Sequence, residues 1–163
     1  MKLVVFGLSV SSSWGNGHAT LWRGLIRALA RRGHRVVFFE RDVPYYAAHR
    51  DLPTLPDGGL RLYAGWEDAA DDARRELADA DVGMVTSYCP DGPMASRAVL
   101  DSSIPRKVYY DLDSPVTLAC SARQRPRHNV AWPLAHAELM VRPKMTTFTM
   151  PPPLHRAEGP PAP

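Results

Sequence analysis

Before residue 41 the chain passes through a strand-like run, a glycine-containing loop, an amphipathic helix and a second strand-like run, and few folds accept that order. Residues 2–8 (KLVVFGL) are almost wholly apolar and rich in β-branched and aromatic types, the pattern of a strand covered on both faces. A polar loop from Ser9 to Asn16 follows. From about Gly17 to Arg32, Leu21, Leu25 and Leu29 recur every four residues with Trp22 and Ile26 beside them, while Arg23, Arg27 and Arg31 form a neighbouring stripe. Arg31 and Arg32 suit the negative end of the helix dipole, and Gly33 suits the position just past the helix. Residues 35–40 (RVVFFE) then read as a second buried strand. Strand, helix, strand at this spacing is a βαβ unit.

The alternation continues. A short helix is expected within 43–50, a strand at 60–63, a helix at 67–78 and a strand at 81–88. Asp91 should cap a helix running to about Asp101, and 107–111 (KVYYD) should be the fifth strand. Ser114-Pro115 has the form of another helix start. These elements predict an α/β domain over residues 1–119: three layers, Rossmann-like, with a parallel sheet of about five strands and helices on both faces.

Near Cys120 the pattern stops. Residues 120–163 hold nine of the sixteen prolines and one glycine, including a Pro151–Pro153 run, and only Leu134 to Val141 is helix-like. Proline cannot donate to a ladder or continue a helix, so an irregular tail is expected, either disordered or read in a shifted frame. The overall charge of +3 comes from this tail: residues 1–119 carry 14 basic and 15 acidic side chains, residues 120–163 carry 6 and 2. The basic balance therefore does not mark a nucleic-acid-binding face on the domain. No apolar run approaches a membrane span, and residues 2–8 read as a first strand rather than a signal-peptide core because a glycine turn and a helix follow. Cys89 and Cys120 have neither metal-ligand nor redox spacing, the tail histidines His128, His136 and His155 lack metal spacing, His34 and His49 beside helix ends read as surface residues, and a reducing cytoplasm is the simplest setting.

The leading site candidate is the loop itself, Ser11-Ser12-Ser13-Trp14-Gly15-Asn16-Gly17-His18-Ala19-Thr20. Glycines permit tight turns and close approach, and a helix N-terminus offers N–H groups to a phosphate. Ser13, Gly15, Asn16, Gly17 and Thr20 are thus candidate ligand-binding residues, against a purely structural turn. His18 is the candidate general base, able to take a proton from an acceptor hydroxyl if a carboxylate orients it. Asp91, Asp111 and Asp113 fall at the carboxyl ends of later strands, where such a partner belongs. A structural histidine is the competing reading. Glu40, 23 residues after Gly17, stands where a dinucleotide-binding domain keeps its ribose-holding acid. The dinucleotide fingerprint is otherwise incomplete, since Thr20 occupies the third-glycine place. Pro44-Tyr45-Tyr46 is either a binding edge or packing.

SSSWGNGHAT with the following LWRGLIRALARRGHRVVFFERDVPYYAAHRD resembles the start of the CgeB-like (spore-maturation type) glycosyltransferases of the GT-B fold, and TSYCPDG and YYDLDSPVTLA resemble later stretches of the same domain. The resemblance covers about residues 1–119. It implies two Rossmann-like domains with the active site in the cleft between them. The N-terminal one receives the acceptor hydroxyl and the C-terminal one holds most of a nucleotide-sugar donor, which is a substrate rather than a cofactor. It also implies, by position in the fold, His18 as base with Asp111 or Asp113 as partner. The tail departs from the family, so the expectation is an N-terminal half lacking its C-terminal domain and, alone, without turnover. The alternatives are the Rossmann domain of a nucleotide-dependent oxidoreductase, or a non-catalytic fragment.

Overall fold

The computed structural model describes residues 1–111 and the backbone of 139–141. Its elements are β1 (Lys2–Gly7), α1 (Gly17–Ala30), β2 (Arg35–Arg41), α2 (Pro44–Ala47), β3 (Gly59–Tyr63), α3 (Trp66–Ala78), β4 (Val82–Thr86), α4 (Gly92–Asp101), β5 (Arg106–Tyr110) and β6 (Leu139–Val141). The sheet order is β3-β2-β1-β4-β5-β6, and every pairing is parallel. The chain winds one way from β1 to β3, then returns to the other side of β1 with β4. The β1/β4 boundary is therefore a topological switch point, where adjacent connections leave on opposite sides and open a crevice at the carboxyl ends of the strands. The fold is Rossmann-like α/β, as the alternation predicts.

The central strands are apolar on both faces because each face has its own helix layer. Along β1, Val4 and Phe6 join a core with Ala69, Ala73 and Leu77 of α3 and with Ala95 and Val99 of α4. Leu3 and Val5 point the other way, into a core with Trp22 and Ile26 of α1. β2 divides likewise, Val37 and Phe39 to the first core and Val36 and Phe38 to the second. Phe6 and Phe39 stack at 4.9 Å between centroids. Across the sheet, Trp22 meets Phe38 edge-on at 5.6 Å. Gly7 ends β1 in close contact: a Cβ there would lie 2.5 Å from the end of the Phe38 ring.

Three details differ from the sequence reading. The buried side of α1 is Ala19, Trp22 and Ile26, while Leu21 and Leu25 are exposed. The two large side chains that fit between α1 and the sheet set the rotation of the helix, and the leucine stripe turns outward. Asp91 holds the cap position of α4 without making a side-chain cap bond. In the stretch expected to be irregular, with a helix-like patch at 134–141, Leu139–Val141 is a short strand beside β5, Val108 opposite Leu139 and Tyr110 opposite Val141. Three apolar residues suffice for an edge strand, and a parallel neighbour decides what local periodicity cannot. The expected helix start at Ser114 and Cys120 lie outside the described residues.

Candidate functional site

The loop from Ser9 to Asn16 leaves the carboxyl end of β1 and is closed around the side chain of Glu40, the penultimate residue of β2. Glu40 is fully buried. Its Oε1 accepts from the hydroxyls of Ser9 (2.9 Å) and Ser11 (2.6 Å), and its Oε2 from the backbone N–H groups of Val10 (2.7 Å) and Ser11 (2.9 Å). Four donors fill the carboxyl's acceptor capacity. The acid that stands where a ribose diol would be held is thus occupied in holding the loop.

The remaining loop groups are also engaged. Ser12 Oγ donates to the carbonyl of His49 at 2.8 Å. Ser13 donates to Asp51 through Oγ (2.6 Å) and through its N–H (3.1 Å). Arg23 of α1 clamps the same carboxylate with two bonds, at 3.0 and 2.6 Å, and donates from Nε to the Val10 carbonyl at 2.8 Å. The hydrogen bonds from Arg23, and next from Ser13, hold the Asp51 carboxyl well below the usual range. Arg50 joins Ser11 Oγ (3.1 Å) to Asp42 (2.6 Å). Asn16 caps α1: its Oδ1 accepts from the His18 N–H at 3.1 Å and its Nδ2 donates to the Ser9 carbonyl at 3.2 Å. The Ala19 N–H also bonds to the Asn16 carbonyl. At the start of α1 two N–H groups therefore already have partners, and the expected phosphate cradle is largely closed from within. Gly15 is at φ +57°, a conformation other residues rarely adopt. Gly17 has open space around it, and Thr20 is exposed on the first turn of α1.

His18 sits at the switch point. Its ring lies 5.7 Å from that of Tyr88, which follows β4. Its Nδ1 is buried and without a hydrogen-bond partner among the described residues. Asp111 is buried just past β5, on the far side of β4 from β1, and Asp113 lies outside the described residues. No metal-binding cluster of His, Cys, Asp or Glu is found among the described residues.

Asp91 belongs to a second buried group. Its Oδ1 pairs with Arg41, at the end of β2, at 3.1 Å, while Oδ2 has no partner among the described residues. The Tyr63 hydroxyl faces this carboxylate within reach of its charge but outside hydrogen-bond geometry. Burial, then Cys89 and Asp91, raises the Tyr63 hydroxyl far above its ordinary value. Burial pushes the Cys89 thiol up to about 12, so Cys89 is an inert core thiol rather than a nucleophile. Thr86 Oγ1 and Ser96 Oγ are likewise buried and unpartnered among the described residues.

No protein-family model matches the chain. Comparison with curated proteins and with solved structures finds no significant match either.

Of the site residues expected from sequence, Ser13, Gly15, Asn16, Gly17, His18 and Glu40 come together around one loop, while Asp91 lies with Arg41 and Tyr63. Sequence reasoning missed Arg23, Arg50 and Asp51, which brace the loop, and His49, whose ring stacks on Trp14 at 4.6 Å and 7°. The only signal for them was Arg23 in the arginine stripe of α1. A groove of about 490 Å³ between α3 and α4, lined by Trp66, Arg74, Met94 and Arg97 among others, includes no loop residue in its lining.

Proposed function

We propose that this domain is the acceptor-side half of a GT-B glycosyltransferase of the CgeB-like kind, with His18 as the general base that takes the proton of an acceptor hydroxyl. The observation that carries this reading is His18 itself, an imidazole at the β1/β4 switch point whose buried Nδ1 has no partner among the described residues. A carboxylate on Nδ1 would fix the tautomer and leave Nε2 to receive the proton. Asp113 and Asp111 remain the candidates for that carboxylate. The dinucleotide alternative is less well supported, because Glu40 accepts four bonds from the loop. Two N–H groups at the start of α1 also have internal partners.

In this reading the domain positions the acceptor and removes its proton. Stabilising the departing nucleotide phosphate falls to donors and cations on a second, donor-binding domain. Transfer from labelled nucleotide sugars to a pyranoside acceptor is therefore expected when such a domain is joined to the chain, and not from the chain by itself. In the joined enzyme His18→Ala should lower kcat by roughly 10²–10⁴-fold with little change in KM. A well-folded His18→Ala enzyme with undiminished kcat would overturn the assignment. Saturable enhancement of NAD(P)H fluorescence by the chain would favour the oxidoreductase instead.

A further inference from the structure

Trp14 is a large apolar side chain at the tip of the loop, and 56% of it is exposed. Its ring is nevertheless not loose. One face lies flat on His49, nearly parallel, and the ring of Tyr45 leans against His49 at 5.8 Å and 47°. Tyr46 meets Tyr45 edge-on at 5.1 Å. His49 Nδ1 donates to the Tyr45 carbonyl at 2.9 Å, which fixes that ring. The Trp14 N–H donates to Ser12 Oγ at 3.3 Å, and Ser12 is tied in turn to the His49 carbonyl. Ser13, next in the chain, is pinned to Asp51 and Arg23. The left-handed turn at Gly15 brings the backbone against the Tyr45 hydroxyl, which a Cβ would approach to 2.9 Å.

An indole backed on one face and bare on the other is an arrangement for stacking a second flat object. Its surroundings restrict what that object is. The charges at its border are paired with each other, Asp51 with Arg23 and Asp42 with Arg50, so among the described residues no unpaired cation there awaits a phosphate. The loop's serine hydroxyls donate inward as well. What fits is an uncharged ring with an apolar C–H face and a polar edge. Because the aromatic cluster is already ordered, binding does not have to freeze it.

We propose that Trp14, backed by His49, which Tyr45 braces in turn, is a stacking platform for the pyranose ring of a carbohydrate. Under the transferase reading, on which this extension rests, that ring belongs to the acceptor whose hydroxyl His18 deprotonates.

The test uses the full chain and a set of methyl glycopyranosides, followed by saturation-transfer NMR on the sugar and by the shift of the Trp14 indole N–H. The expected result is transfer to the axial C–H protons of at least one pyranoside, with the Trp14 signal moving in step. Trp14→Ala should weaken binding about tenfold, as expected for one aromatic stacking partner, and Trp14→Tyr should recover part of it. Three results would overturn the platform: no pyranoside moves the Trp14 signal, Trp14→Ala binds as tightly as the parent, or adenosine and uridine move the signal while pyranosides do not. The two ideas fail separately. Pyranoside binding through Trp14 without transfer in the joined enzyme retains the platform and rejects the transferase. Transfer with an unchanged acceptor KM in Trp14→Ala does the reverse.

Discussion

At the amino end of the sheet, Lys2 is buried and bonds Glu76 at 2.8 Å and also Asp79, and Glu76 is reached in turn by Arg61 at 2.8 Å and Arg35 at 3.5 Å. At the carboxyl end, Glu40 is held by two hydroxyls and two backbone N–H groups, with no cation on it among the described residues. Around it His18 Nδ1, Tyr63 Oη, Thr86 Oγ1 and Asp91 Oδ2 are buried without partners among the described residues, whereas no such atom is found on Lys2 or Glu76. Leaving a buried polar group unpaired costs roughly 1–3 kcal/mol. Among the described residues the polar contacts are thus complete at the amino end and incomplete at the carboxyl end, the end where open parallel sheets take ligands.

The largest effect expected from disturbing this contrast is at Glu40. Glu40→Ala strands four buried donors and should cost about 3–5 kcal/mol in urea unfolding. Glu40→Gln, which keeps the shape and one acceptor, should cost less than half of that. If both variants unfold within about 0.5 kcal/mol of the parent, the loop is not closed on this side chain.

A smaller effect is expected at the other end. Lys2→Met should lower stability by about 1–2 kcal/mol at neutral pH, because Glu76 keeps Arg61. It should also change the acid response. Burial pushes the Glu76 carboxyl up, but the hydrogen bonds from Lys2 and Arg61 more than reverse this, and Lys2 also lowers Asp79. Carboxyls lowered in the folded state stabilise fully above their ordinary values of 4.5 and 3.8, and that contribution is lost as pH falls through the lowered folded values. Parent protein should therefore lose stability more steeply below pH 4.5 than Lys2→Met does. Parallel curves would remove Lys2 from the account.

The smallest effect is the sharpest discriminator. Thr86→Val and Tyr63→Phe delete hydroxyls that have no partner among the described residues, so each should be neutral or should stabilise by up to about 1 kcal/mol. A loss above about 1 kcal/mol in either would mean that the hydroxyl is satisfied and that the carboxyl end is not open there.

The order and type of the elements through β5 were legible in the sequence, because buried strands and an amphipathic helix each leave a local period. The site was legible in part. The loop and His18 follow from a strand, a glycine turn and a helix in succession. The role of Glu40 did not follow, since an acid at the end of β2 looks the same whether it holds a ribose or a loop, and only three-dimensional pairing across some 30 residues separates the two. Arg23 and Asp51 escaped for the same reason: their contact bridges 28 residues and leaves no local pattern. Leu21 and Leu25 show the reverse error, where a clear period gave way to the bulk of Trp22 and Ile26.

The closure of the loop has a consequence for how the protein is made. Among the described residues, the hydrogen-bond partners of Ser9 to Asn16, from Glu40 through His49 and Asp51 to Leu52, lie before residue 53. As the chain leaves the ribosome, the groups that shape the loop are all present before α3, β4 and the rest of the sheet have been synthesised. The bonds that hold the loop are thus all drawn from the first 52 residues, and substitutions in the strands and helices that follow leave those partners in place.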